Sequence, residues 1–284
     1  MQQTLSPVRQ MARIVDVPGP LRLWHLSSLD APTVAVVWSL GFAKAAGVRL
    51  PACVPLLLAL VTWCIYISDR ILDTQWALLA KEVHCLRKRH HFHWKHRRVF
   101  IPLALAAACI STWIVVSFMP VGTCERNALL ALASIIYFSG VHSHTKVRAF
   151  LPKELLVAIL FTAGCVLPTV GRTGKLSATF VVVIVFFAGL AWLNCRAIEC
   201  WESFGQTYCG TQIQYVAGLL ALAGVVSAII LFAPNSREAA LIGTGAVSAV
   251  LLALLDGIRG RLTPMALRSV ADLVLLTPLV LLIR

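Results

Sequence analysis

The chain has 284 residues, of which 59% are hydrophobic and only 13% charged, with a formal net charge of +13. A soluble domain carries roughly a quarter charged residues, so a water-soluble enzyme or binding module is excluded and the class is an integral membrane protein. The cationic excess then reads as loops held on the cytoplasmic side, not as a surface for nucleic acid.

The first twenty residues contain no apolar core of the roughly 7–15 residues that a cleavable signal needs, so 1–30 is expected to be a cytoplasmic N-terminal segment. From there apolar stretches recur at about the 20-residue length that a bilayer requires. They cover approximately 31–47, 52–71, 99–119, 127–143, 153–170, 177–194, 213–233, 238–256 and 267–283. Asp30 and Pro32 suit the start of the first as cap and first-turn residues. No alternating strand pattern is present. The expected fold is therefore an all-α bundle of about nine transmembrane helices forming a single domain over 1–284. With the N-terminus inside, 18 of the 25 Lys and Arg residues fall in cytoplasmic segments, as the positive-inside rule requires. A bacterial inner membrane is the expected location. The nine cysteines are scattered and form no CxxC pair, which predicts free thiols without a structural disulfide or zinc ribbon.

The second apolar stretch ends in "YISDRILDTQ", residues 66–75, and the sixth ends in "LNCRAIECWESFGQ". Asp69 and Asp73 are spaced i,i+4, and Glu199 and Glu202 i,i+3, so each pair shares a helix face. An even number of spans separates them, which places both pairs at the same side of the membrane. Carboxylates gathered at one depth repel unless a cation lies between them. Mg²⁺ carrying a diphosphate fits, because it takes one or two carboxylates and completes its octahedron with water and phosphate oxygens. The competing reading is local pairing with arginines such as Arg70 and Arg196.

The basic segment 72–98 carries His84, His90, His91, His93 and His96. It is expected to be a solvated cytoplasmic loop on anionic lipid, with a transition-metal site and a lid over a cavity as alternatives. Lys146, Arg148 and Lys153 are candidates for the second side of a diphosphate clamp. Asp256 and Asp272 lie in the last helical pair, where Arg259 and Arg268 are expected to neutralise them as helix glue.

The "DRILD" of residues 69–73 resembles the latter part of the first aspartate-rich motif, Asn-Asp-x-x-Asp-x-x-x-Asp, of the UbiA-type intramembrane prenyltransferases. Asp69 and Asp73 match its last two aspartates, while Ile65 and Tyr66 stand where the motif has Asn and Asp. In the second acidic loop Asn194 and Glu202 match the outer positions and Ile198 stands at the middle one. The stretch "YFSGVHSHTKVRAFLPKELLVAILFTAGCVLP" is similar to the family's tyrosine and lysine loop followed by its Gly-rich fifth span. The resemblance implies a UbiA-like bundle that transfers a polyprenyl group from its diphosphate to a lipid-soluble acceptor, aromatic or quinone-type. It implies Mg²⁺ on Asp69, Asp73, Glu199 and Glu202, with Asp69, Asp73 and Glu202 as the catalytic set. Arg70, Lys146, Arg148 and Asn194 would bind substrate. Tyr66 would offer its ring to an allylic cation. A non-enzymatic isoprenoid binder on the same scaffold, and a proton- or metal-coupled transporter, remain open as alternatives.

Overall fold

Helix is the only regular element of any length among the residues that the computed structural model describes, which are 15–81, 86–120, 122–125, 128–133, 152–202 and 209–283. The chain enters through α1 (Gly19–Leu26) and α2 (Asp30–Ala45), then α3 (Cys53–Leu79), the short α4 (Lys88–Lys95) and α5 (Arg97–Phe118). It continues through α6 (Lys153–Val170), α7 (Ala178–Glu202), α8 (Cys209–Phe232) and α9 (Ser236–Gly257), and ends in α10 (Pro264–Val274) and α11 (Leu279–Leu282). A parallel bridge from Val15 to Leu262 straps the start of the described chain to the loop before α10, with the Val15 N–H donating to the Arg261 carbonyl at 2.9 Å.

Among the described residues seven elements are long and apolar enough to cross a bilayer: α3, α5, α6, α7, α8, α9, and α10 with α11 taken together. An all-α, multi-pass membrane protein follows. The expected first span differs from its sequence reading. At 16 residues α2 reaches about 24 Å, short of the roughly 30 Å hydrocarbon core. It joins α1 across a bend of 86°, and the pair counts as an eighth candidate. Most of the expected span over 127–143 lies outside the described residues. Cys200 is disulfide-bonded, against the expectation of free thiols throughout.

The core is an aromatic and aliphatic packet between α2, α7 and α9, built on Trp38, Phe42, Phe187, Leu190, Leu241 and Ile242. Trp38 stacks on Phe187 with ring centroids 4.1 Å apart. Two glycines let three helices close around one ring. A Cβ on Gly224 of α8 would lie 2.7 Å from Phe186, and one on Gly245 of α9 would lie 2.6 Å from it. Small residues at such crossings allow the close backbone approach that drives packing in lipid.

The break between α10 and α11 exposes backbone carbonyls that hydrocarbon cannot satisfy. Neighbouring side chains cap it. Trp38 Nε1 donates to the Leu275 carbonyl at 2.8 Å, and Ser248 Oγ donates to the Val274 carbonyl at 2.8 Å. Thr277 Oγ1 closes the break from its own side by donating to the Thr244 carbonyl at 2.8 Å. The start of α10 is fixed by Thr263, whose hydroxyl accepts from the Ala266 N–H at 3.1 Å, with Pro264 in the first turn. This anchoring sets the depth of Arg268 and Asp272, which face the site.

Candidate functional site

The last turns of α3 carry the polar residues that the sequence singles out. Arg70 is buried, donates to Asp69 Oδ2 at 3.0 Å, and lies 5.7 Å from the ring centroid of Tyr66. Asp73, one turn further, faces α4, with its Oδ2 3.5 Å from His90 Nε2. The expectation that Asp69 and Asp73 share one inward cavity is corrected here: Asp69 lines the cavity and Asp73 lies outside its lining.

Residues 86–98, a described part of the basic segment after α3, are also not a solvated loop. Arg89, His90 and His93 of α4 are 9%, 6% and 0% exposed. An eight-residue helix pairs one face with the bundle and leaves Lys88, His91 and Lys95 in water, so a cationic sequence can still bury side chains. The Arg87 N–H donates to His90 Nδ1 at 3.1 Å, which leaves the proton of a neutral ring on Nε2, facing Asp73. His93 donates from Nδ1 to the Arg89 carbonyl at 2.9 Å and lies 3.4 Å from Ser28 Oγ. Burial pushes the His93 imidazole down to about 4 and lowers His90 as well. Both rings are therefore neutral parts of a docked lid at neutral pH.

Glu202, at the end of α7, is the centre of the site. Its carboxylate is ion-paired with Arg87, with Arg89 at 2.7 Å and with Arg268 at 3.4 Å, and its side chain is only 8% exposed. The three guanidiniums come from the lid and from α10, so one acid ties three parts of the fold together. Burial, followed by the nearby charges of Arg268 and Arg70, lowers the pKa of Arg89. Among the described residues the Nε atoms of Arg70, Arg89 and Arg268 are buried without hydrogen-bond partners, and each unmet donor costs about 1–3 kcal/mol.

These groups stand at one end of a cavity of about 750 Å³. Arg70, Arg87, Arg89, Lys153 and Arg268 line it together with the carboxylates of Asp69, Glu154, Glu199, Glu202 and Asp272, and Val54, Leu57, Val61, Leu160, Phe161 and Leu167 are among its apolar members. From Val54 to Arg70 the wall runs about 24 Å along α3, long enough for a tail of several isoprene units. The cavity can accept an anionic head with an apolar chain. Its aromatic members include Tyr66 and Phe161. Three nearby tryptophans serve other contacts: Trp63 Nε1 donates to the Ser27 carbonyl at 2.9 Å, Trp201 Nε1 donates to Asp256 at 2.7 Å, and Trp192 packs on the core.

Of the sequence-predicted site residues, Tyr66, Asp69, Arg70, Asn194, Glu199 and Glu202 meet around this cavity, while Lys146 and Arg148 lie outside the described residues. Asn194 reaches another helix, donating from Nδ2 to Asp272 Oδ1 at 3.1 Å. Asp256 pairs with Arg259 at 3.0 Å as expected, but Arg268 pairs with Glu202. The four acids expected to hold Mg²⁺ do not form a metal-holding group. Asp69 engages Arg70, Asp73 engages His90, and three guanidiniums surround Glu202. Among the described residues only His25, Asp30 and Asp272 bring three metal-ligating atoms within 4.8 Å of one another. Sequence reasoning missed Arg87, Arg89 and Arg268 as site residues. The only signal was three arginines in segments assigned to the same side of the membrane.

Comparison with protein-family models, with characterised proteins and with solved structures gives no match to this chain.

Proposed function

We propose that this chain binds a polyprenyl diphosphate in the membrane and transfers its prenyl group to a lipid-soluble acceptor, in the manner of the UbiA-type enzymes that its motifs resemble. One observation carries the reading. A long apolar cavity ends in a cluster of arginines whose buried Nε donors lack acceptors. A diphosphate supplies those acceptors, and arginine forks match phosphate geometry. The prenyl chain lies against α3 and α6.

Ionisation of the allylic C–O bond sends the electron pair to the diphosphate, and guanidiniums placed around that leaving group stabilise the charge as it develops. Tyr66 lies beside Arg70 at the junction of head and tail, where its ring faces the carbon that becomes cationic. The acceptor then attacks that carbon and passes its proton to Asp69, the cavity-wall carboxylate paired with Arg70. In this reading arginines hold the head in place of carboxylate-bound Mg²⁺, and no step is routed through the metal. The arginine-rich end is assigned to the cytoplasmic face of a bacterial inner membrane, on the distribution of Lys and Arg.

The saturation of Glu202 by three arginines favours one second reading, a non-enzymatic isoprenoid binder. The test is diphosphate release from geranyl, farnesyl and geranylgeranyl diphosphate by purified protein with a quinol or phenolic acceptor. Magnesium and EDTA arms accompany each donor. Turnover supports transfer. Binding of the donors without turnover in either arm selects the binder, and failure of every donor to bind overturns both readings.

A further inference from the structure

We infer that His25, Asp30 and Asp272 form a binding site for a divalent transition-metal ion of the zinc type, with Asp272 on the cavity wall. His25 closes α1 and Asp30 opens α2, and the 86° bend between the helices turns their side chains onto each other. Their Nδ1 and Oδ2 atoms are 2.6 Å apart, with the residues 4% and 3% exposed. Ser28, inside the bend, holds φ at 56°, a left-handed conformation that non-glycine residues adopt at a cost. Asp272 approaches from α10, so that one ligand atom from each of the three residues lies within 4.8 Å of the others.

A second observation comes from a different helix. Asn194 of α7 is 6% exposed and donates from Nδ2 to Asp272, while its Oδ1 is buried with no partner. Turned over, the amide presents that oxygen to an ion held by Asp272. One imidazole nitrogen, two carboxylates and an amide oxygen then converge from three parts of the fold. This donor set suits zinc and its neighbours better than magnesium, which prefers oxygen alone.

Charge points the same way. Two carboxylates this close and this deeply buried resist being ionised together, and a divalent ion between them relieves that repulsion. The nearby guanidiniums of Arg89 and Arg268 are directed at Glu202. Ligands of a tetrahedral zinc stand about 2.0–2.2 Å from the ion and so a little over 3 Å from each other. The His25–Asp30 contact, at 2.6 Å, opens by roughly 0.7–1 Å to reach that spacing. Asp272 and Asn194 line the cavity, so a further coordination position faces whatever fills it. The inference does not depend on the identity of that occupant.

The test is zinc binding to the full-length protein in detergent, stripped with EDTA and titrated against a chromophoric competitor. A His84→Ala, His91→Ala background removes adventitious zinc from the basic segment. One equivalent is expected, weakened at least about 10-fold by Asp272→Asn or His25→Ala and about 10-fold by Asn194→Leu, and unchanged by Asp69→Asn. Cobalt in place of zinc reports the ligand set in the folded parent protein, with visible ligand-field bands expected at one equivalent. Absence of stoichiometric zinc and of those bands overturns the site, as does binding that survives Asp272→Asn unweakened.

Discussion

Replacing Glu202 with Gln tests the arginine cluster most sharply, because one neutralised oxygen strands three cations. The carboxylate is 8% exposed and pairs with Arg87, Arg89 and Arg268. Removing one member of a buried ion pair typically costs about 3–5 kcal/mol, since the partner charge remains without compensation. The loss here belongs at the upper end of that range, because burial and mutual repulsion already disfavour the charge on Arg89. For a chain of this size the expected drop in apparent Tm is on the order of 10 °C. Intrinsic tryptophan fluorescence of detergent-solubilised protein measures it. Inorganic diphosphate, which offers the missing oxygens, is expected to restore most of the loss in Glu202→Gln and to stabilise that variant more than the parent. A Glu202-bound Mg²⁺ requires the opposite: diphosphate affinity that falls in the variant and depends on magnesium. An unchanged Tm with no response to diphosphate refutes the arginine-cluster reasoning.

Other expected outcomes follow from separate parts of the structure. The neutral His93, held at about 4 against an ordinary 6.5, makes the docking of α4 fully favourable above pH 6.5 and progressively weaker as pH falls toward 4. The linked loss is at most about 3 kcal/mol, and hydrogen exchange of residues 88–95 across that range measures it. Gly245→Ala drives a Cβ to within 2.6 Å of the Phe186 ring and is expected to cost about 1–3 kcal/mol of stability by overpacking, read as a lower Tm. If prenyl transfer is confirmed, Tyr66→Phe is expected to keep most diphosphate release while Tyr66→Ala loses it. Equal loss in both variants assigns the role to the hydroxyl.

The helical, multi-pass class was legible because a bilayer imposes length on every apolar run. Asp69 and Glu202, which the parity of the expected spans groups together, both line one cavity. What hid the rest was distance along the chain. Arg89 meets Glu202 across 113 residues and Asn194 meets Asp272 across 78, and neither pairing leaves a periodic trace. Arg268, one turn before Asp272, looked like its local partner, yet α10 directs that guanidinium at Glu202 instead. The basic segment read as solvated because the hydration of its charges outweighs everything else an isolated segment can offer. A buried carboxylate waiting on another helix reverses that balance for Arg89. The His25–Asp30 contact depends on a bend whose left-handed residue is Ser28 rather than glycine, so no turn signal marked it.

The central claim is that the arginine-capped cavity holds a prenyl diphosphate, and equilibrium binding of radiolabelled geranylgeranyl diphosphate to the purified full-length chain tests it most directly. The expected result is saturable binding that persists in EDTA, is competed by inorganic diphosphate, and weakens at least about 10-fold in Arg89→Gln and Arg268→Gln, since each charge-assisted bond contributes about 1.5–3 kcal/mol. Binding that is absent, or that is indifferent to both arginine substitutions, contradicts the account.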